Sequence, residues 1–238
     1  MKTILLLLIF LISCSPENEF NADSQMLLFL ESEKMTCTSD DLFLAININS
    51  IEALEFSIGQ GAETECVNSD GLTPLYLAVA KKKLRLVEYL VSSNVLIDGR
   101  NSDGETPLHM AAKTGKLYLV KYLVENGAEI GTFSHKGETP THFAASSGNI
   151  FVLQYLFENG APLNVLSEKG DSPLHYAVNM NHLKAVKFLI ENGADAGIRN
   201  KKGKTPLRVA RLKRLREMIK LLRPDVSPTS RRRPSIFF

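Results

Sequence analysis

The sequence predicts an all-α solenoid of stacked helix-turn-helix units, and three observations carry that expectation. One phrase is written five times: "DGLTPLYLAVAKK" at 70, "DGETPLHMAAKTG" at 103, "KGETPTHFAASSG" at 136, "KGDSPLHYAVNMN" at 169 and "KGKTPLRVARLKR" at 202. The copies keep a strict 33-residue step, seen in Thr73, Thr106, Thr139, Ser172 and Thr205 and again in Gly61, Gly127, Gly160 and Gly193, with Asn94 in the place of one glycine. Inside each period the apolar residues fall at helical spacing.

Residues 101–133 show the elements in order. Asp103-Gly104 forms a tight turn, since glycine tolerates positive φ. Thr106 stands where a hydroxyl caps the first free amides of a helix, and Pro107 takes the first helical position, where no donor is needed. Leu108, Ala111 and Ala112 give this helix a narrow apolar face, and Gly115 ends it in a left-handed cap. A second helix carries Leu117, Val120, Leu123 and Val124 on one stripe, and Gly127 closes it. Neither helix can bury its apolar face alone, whereas stacked copies bury it for one another. The small alanines let first helices approach more closely than the bulkier second helices. The stack therefore curves, with first helices and turn tips on the concave side.

Gly-x-Thr-Pro-Leu-His-x-Ala-Ala at Gly104–Ala112, then Val-x-x-Leu-Val at Val120–Val124 and Asn-Gly-Ala at Asn126–Ala128, resemble the ankyrin repeat family. The resemblance covers residues 68–222, about two thirds of the chain. It implies repeats at 68–100, 101–133, 134–166, 167–199 and 200–222. A degenerate first repeat at 35–67 has "LFLAI" at 42–46 in the place of Pro-Leu-His-x-Ala, giving about six units between two caps. Departures from the pattern locate weak joints. Lys82 and Asn181 replace the glycine between helices, and Asn94 replaces the terminal glycine. Lysine tolerates the left-handed conformation poorly, so strain is expected in the second repeat.

His109, His142 and His175 recur at the same step, but the resemblance makes them structural, each bonding the threonine region and the loop of a neighbouring repeat. They stand a repeat-width apart, too far for one tetrahedral ion, and lack cysteine or carboxylate partners. His135 and His182 are expected to face solvent. No His-Glu-x-x-His, nucleophile-elbow, phosphate-loop or Cys-x-x-Cys motif is present. Neither enzymatic activity nor a cofactor is expected.

The ends carry other information. "MKTILLLLIFLISCS" has one lysine and a short apolar run, too short to span a bilayer as a mature helix. Leu11-Ile12-Ser13-Cys14 resembles the bacterial lipobox, which implies a signal peptide at 1–13 and lipidation at Cys14; a plain secretory signal is the alternative. Residues 14–38 then form an acidic tether, 39–222 the repeat domain, and 223–238 a basic tail rich in proline and arginine. The chain is accordingly expected to be exported and anchored in the bacterial envelope by lipid. Cys37 and Cys66 are either free thiols or a disulfide.

Charge is polarised along the chain. Residues 15–67 carry −10, residues 68–199 balance, and residues 200–238 carry +11. Lys201, Lys202, Lys204, Arg211, Arg231, Arg232 and Arg233 are candidates for an anionic envelope surface. A solvated cap is the alternative for these residues. Aromatic interleaving is missing at this end, so nucleic acid is not an expected partner.

The expected function is binding of another protein. The family's concave face maps to Ser102, Asp103, Glu105, Lys113, Thr114 and Phe133 in one central repeat, and to His135, Lys136, Glu138, Ser146, Ser147 and Leu166 in the next. Phe133 and Leu166 are apolar at loop positions and serve either a partner or a loop contact. An inhibitor or immunity-type protein against an envelope-acting toxin or enzyme, and a structural tether to an anionic surface, are the rival functions.

Overall fold

The computed structural model describes residues 39–223, and among them every regular element is helical. Six helical pairs follow one another: α1 Ser39–Ile48 with α2 Ile51–Gly59, α3 Pro74–Ala80 with α4 Leu84–Ser92, α5 Pro107–Thr114 with α6 Leu117–Glu125, α7 Pro140–Ser147 with α8 Ile150–Glu158, α9 Pro173–Asn179 with α10 Leu183–Glu191, and α11 Pro206–Leu212 with α12 Arg216–Leu221. The expected all-α solenoid of helix-turn-helix units is what forms. The readings for the signal, Cys14, Cys37, the acidic tether and Arg231–Arg233 lie outside the described residues.

Proline opens five of the first helices, where its missing N–H costs nothing. Ala78, Ala111, Ala144, Ala145 and Ala177 are fully buried between successive first helices. These helices pack far more closely on one another than the second helices do, which curves the stack towards them. Leu75, Leu108, Leu123, Leu156, Leu174 and Leu189 fill one continuous core that runs through every pair. Each buried leucine contributes about 2 kcal/mol of transfer free energy, and no pair buries its share without a neighbour.

The capping differs from the simple hydroxyl cap. Thr73 and Thr205 do accept the amides of Tyr76 and Arg208, each at 3.3 Å. In the three histidine repeats the imidazole joins in. The Thr106 amide donates to His109 Nδ1 at 3.0 Å, and the Thr106 hydroxyl lies 2.9 Å from the same nitrogen. The same arrangement recurs at Thr139–His142 and Ser172–His175.

The joint between helices is where the sequence and the ideal backbone part company. Gly115 and Gly148 take the left-handed conformation there at no steric cost. Lys82 adopts it at φ 60° and Asn94 at φ 56°, as their positions require. The strain is not confined to the second repeat, because Asn49, Asn181 and Arg214 sit at φ 63°, 61° and 59°. The expectation for His182 needs correcting. Its ring is half-buried and Nε2 lies 2.9 Å from the Ser146 carbonyl, so it links two repeats rather than facing solvent. His135 is exposed, as expected.

Candidate protein-docking face

The concave side is built from α5, α7 and α9 and from the turn tips that precede them. Backbone bonds tie the tips into a ladder: His135 N–H to the Asp103 carbonyl at 2.8 Å, Glu168 N–H to Lys136 at 2.8 Å and Lys201 N–H to Lys169 at 3.0 Å. Beneath the tips the buried histidines fix the next layer. His109 Nε2 reaches the Glu138 carbonyl at 3.0 Å, His142 reaches Asp171 at 3.1 Å and His175 reaches Lys204 at 3.0 Å. An amide can only donate and a carbonyl can only accept, so these rings are neutral with the proton on Nε2. Burial depresses the His109 and His142 pKa values to about 4, which keeps them neutral at physiological pH.

Two aromatic side chains stand on these rings. Phe143 packs edge-on against His109 with centroids 5.4 Å apart, and Tyr176 packs the same way on His142 at 5.1 Å. Together with Lys113, Glu138, Ser146 and Ser147 they line a hollow of about 360 Å³. Lys113 Nζ lies 5.7 Å from the Phe143 ring centroid, a cation–π contact at the rim. The Tyr176 hydroxyl donates to the Glu138 carboxylate, and burial followed by that carboxylate raises its pKa, so it remains a donor. Both rings are supported from below by the buried histidines, and Tyr176 is held from the side by Glu138 as well.

The twelve candidate residues divide into groups. Lys113, Glu138, Ser146 and Ser147 come together in the hollow. Ser102, Asp103, His135 and Lys136 are exposed on the tips, with Lys136 and Asp103 paired at 3.8 Å. Phe133 and Leu166 are 50% and 46% exposed on the loop edge. Thr114 is half-buried, its hydroxyl donating to the Ala111 carbonyl of its own helix at 2.9 Å. Glu105 is only 8% exposed, and its carboxylate accepts from the Tyr76 hydroxyl and from Asn101 Nδ2 at 3.4 Å.

The cause of that last difference lies one repeat earlier. Tyr76 occupies the histidine column. Its longer reach ends on the Glu105 side chain rather than on the main chain, which draws Glu105 into the interior. Glu138, one step along, has a histidine below it and stays half-exposed. Sequence reasoning missed Phe143 and Tyr176. Their signal was available as two large aromatics inside otherwise small-residue first helices.

The basic candidates are split by the fold. Lys201 and Lys202 are exposed on the last turn tip, Lys204 is half-buried beside them, and Arg211 is exposed on α11. Lys202 and Lys204 line a second hollow of about 240 Å³ with Lys169, Asp171 and Lys213. Among the described residues no group of three or more His, Cys, Asp or Glu is arranged to hold a metal ion, and no helix is long and apolar enough to cross a membrane.

The family profile for ankyrin repeats, three copies, matches residues 42–134 and 141–232. The chain belongs to the ankyrin repeat family. Ankyrin repeats generally act as protein–protein interaction modules and are typically not enzymes. No curated protein matches the chain.

Proposed function

We propose that this ankyrin chain is an envelope-anchored module that holds another protein in the concave hollow between α5 and α9. The observation that carries the reading is the pair of pre-positioned aromatics, Phe143 and Tyr176, flanked by one cation and one carboxylate in a hollow of about 360 Å³. Rigid aromatic anchors ringed by polar groups are where binding energy concentrates in interfaces, because ordering them costs little on association. The leader and Cys14 support placement at the envelope. An inhibitor of an envelope-acting enzyme would use the same hollow.

The test is crosslinking and recovery from intact envelopes, comparing the natural chain with Phe143→Ala/Tyr176→Ala and with Lys113→Glu. The last variant reverses an exposed charge without touching the core. The same partner should be lost from both, and retained by a control altered on the outer helices at Glu125→Ala. Retention by all three rejects the hollow. A Cys14→Ala chain should leave the detergent phase on fractionation.

A second reading, attachment to a polyanion through the C-terminal end, is supported by the ion pairs. Of the ten lysines and arginines in residues 200–223, Lys220 alone faces a carboxylate among the described residues.

A further inference from the structure

The edge where each first helix turns into the second carries a composition of its own. Six windows of six residues recur there at the 33-residue step, from 47–52 to 212–217. They hold ten lysines and arginines against two carboxylates, Glu52 and Glu217. The opposite, loop edge (59–73, 92–106, 125–139, 158–172 and 191–205) reverses the sign, with fourteen carboxylates against seven cations. The same six windows also contain Ile48, Tyr118, Phe151, Met180, Leu183 and Leu212, which are six of the ten large apolar side chains exposed on the described surface. Phe151 is 70% exposed, the most of any. Neither stacking nor the hollow calls for an apolar residue at these positions.

The last five windows are held to one another. Hydrogen bonds join window to window: the Tyr118 hydroxyl to the Lys82 carbonyl at 3.4 Å, Asn149 Nδ2 to Gly115 at 2.7 Å, His182 Nε2 to Ser146 at 2.9 Å, and Lys213 Nζ to Asn179. Two of its cations, Lys82 and Arg214, occupy the left-handed joint that Gly115 and Gly148 fill without strain elsewhere. Backbone strain retained at a surface position points to use of the side chain. Arg214 and Arg216 also flank a hollow of about 440 Å³ lined by Leu183, Leu215 and Met218.

We propose that this edge rests on an anionic membrane surface, with Tyr118, Phe151, Met180 and Leu183 sunk at the headgroup boundary and the surrounding cations over anionic lipid. Apolar side chains interleaved with lysine and arginine bind such a surface by burial and by charge together. A protein partner would have to match ten cations spread over four of the six repeats with carboxylates at fixed places. A fluid anionic surface meets any spacing. The proposal does not depend on lipidation at Cys14, and of the hollow's lining the edge shares Lys113, Ser146 and Ser147 but neither aromatic ring.

The natural chain has no tryptophan, so a single introduced indole reports its own surroundings. The full chain carrying Cys14→Ala is prepared with Phe151→Trp on this edge, or with Phe133→Trp on the opposite edge, and helical content is checked by circular dichroism. Each is mixed with phosphatidylcholine vesicles containing phosphatidylglycerol, and with phosphatidylcholine vesicles alone. In the anionic vesicles Phe151→Trp emission should shift to the blue and be quenched by brominated lipid, while Phe133→Trp emission stays as in buffer. Reading the location of the indole separates edge contact from any insertion of the leader, which would bring both variants to the vesicle alike. Replacing Lys81, Lys82 and Lys83 by glutamate in the Phe151→Trp chain should abolish the shift. An unshifted Phe151→Trp, an equal shift at Phe133→Trp, or an equal response to neutral vesicles overturns the proposal.

Discussion

Acidification from pH 7 to pH 5 should destabilise the central repeats by about 4 kcal/mol through two histidines alone. His109 and His142 are fully buried, and burial holds their pKa values at about 4, against 6.5 in the unfolded chain. Between those values the unfolded state binds protons that the folded state refuses, so stability rises with pH across the window. The contribution is complete above pH 6.5 and is lost progressively as pH falls towards 4. At pH 5 the loss amounts to about 2 kcal/mol per histidine. Asp98 works in the opposite sense, because burial raises its carboxyl pKa and the fold takes up that proton first. The assay is urea unfolding followed by helical circular dichroism at pH 7 and pH 5, for the natural chain and for His109→Gln/His142→Gln. The variant should be less stable at pH 7, having lost the caps and the links to Glu138 and Asp171, and its midpoint should change much less with pH. An equal pH dependence in both chains would refute the assignment of the effect to these rings.

Two further outcomes follow from local geometry. Thr141 stands in the column of Leu75, Leu108 and Leu174, and its buried hydroxyl lacks a hydrogen-bond partner. Thr141→Val should therefore raise stability by about 1 kcal/mol, and an unchanged or lowered urea midpoint counts against that account. Lys82→Gly and Asn94→Gly remove left-handed strain and should each stabilise by about 1 kcal/mol. A fall in both midpoints would show that the lysine and asparagine side chains contribute more than the strain removes.

Most of the fold was legible because stacking constrains the same columns in every copy. Proline at the first helical position, alanine between first helices and leucine in the core repeat at one step, and each has a single physical reason. The site was legible only in part. The period implies that Lys113, Glu138, Ser146 and Ser147 share one side of the stack, but a period does not say which residue meets which across repeats. Glu105 and Glu138 occupy the same column, yet one is interior and the other lines a hollow. The difference is set by Tyr76 against His109 beneath them, a contact 29 residues away in sequence. The burial of His182 is hidden from the sequence for the same reason: its partner, the Ser146 carbonyl, lies 36 residues away.

What varies within the period is therefore as informative as what repeats. A column that touches the neighbouring repeat has little freedom, since each change is felt twice, once on each side. The column of Leu77, Met110, Phe143, Tyr176 and Val209 lies along the first helices, with Leu77 and Val209 buried, and it turns aromatic only in the fourth and fifth repeats, where Phe143 and Tyr176 pack on buried histidines. The column of Arg85, Tyr118, Phe151, Lys184 and Glu217 begins the second helices, and it carries charge at the ends and aromatic rings at the centre. Tyr118 and Phe151 fall in the third and fourth repeats and Phe143 and Tyr176 in the fourth and fifth, on surfaces that join at Lys113, which rims the hollow and belongs to the basic edge. A chain lying on that edge would keep the hollow open beside the membrane, so a partner held there would be held close to the lipid surface.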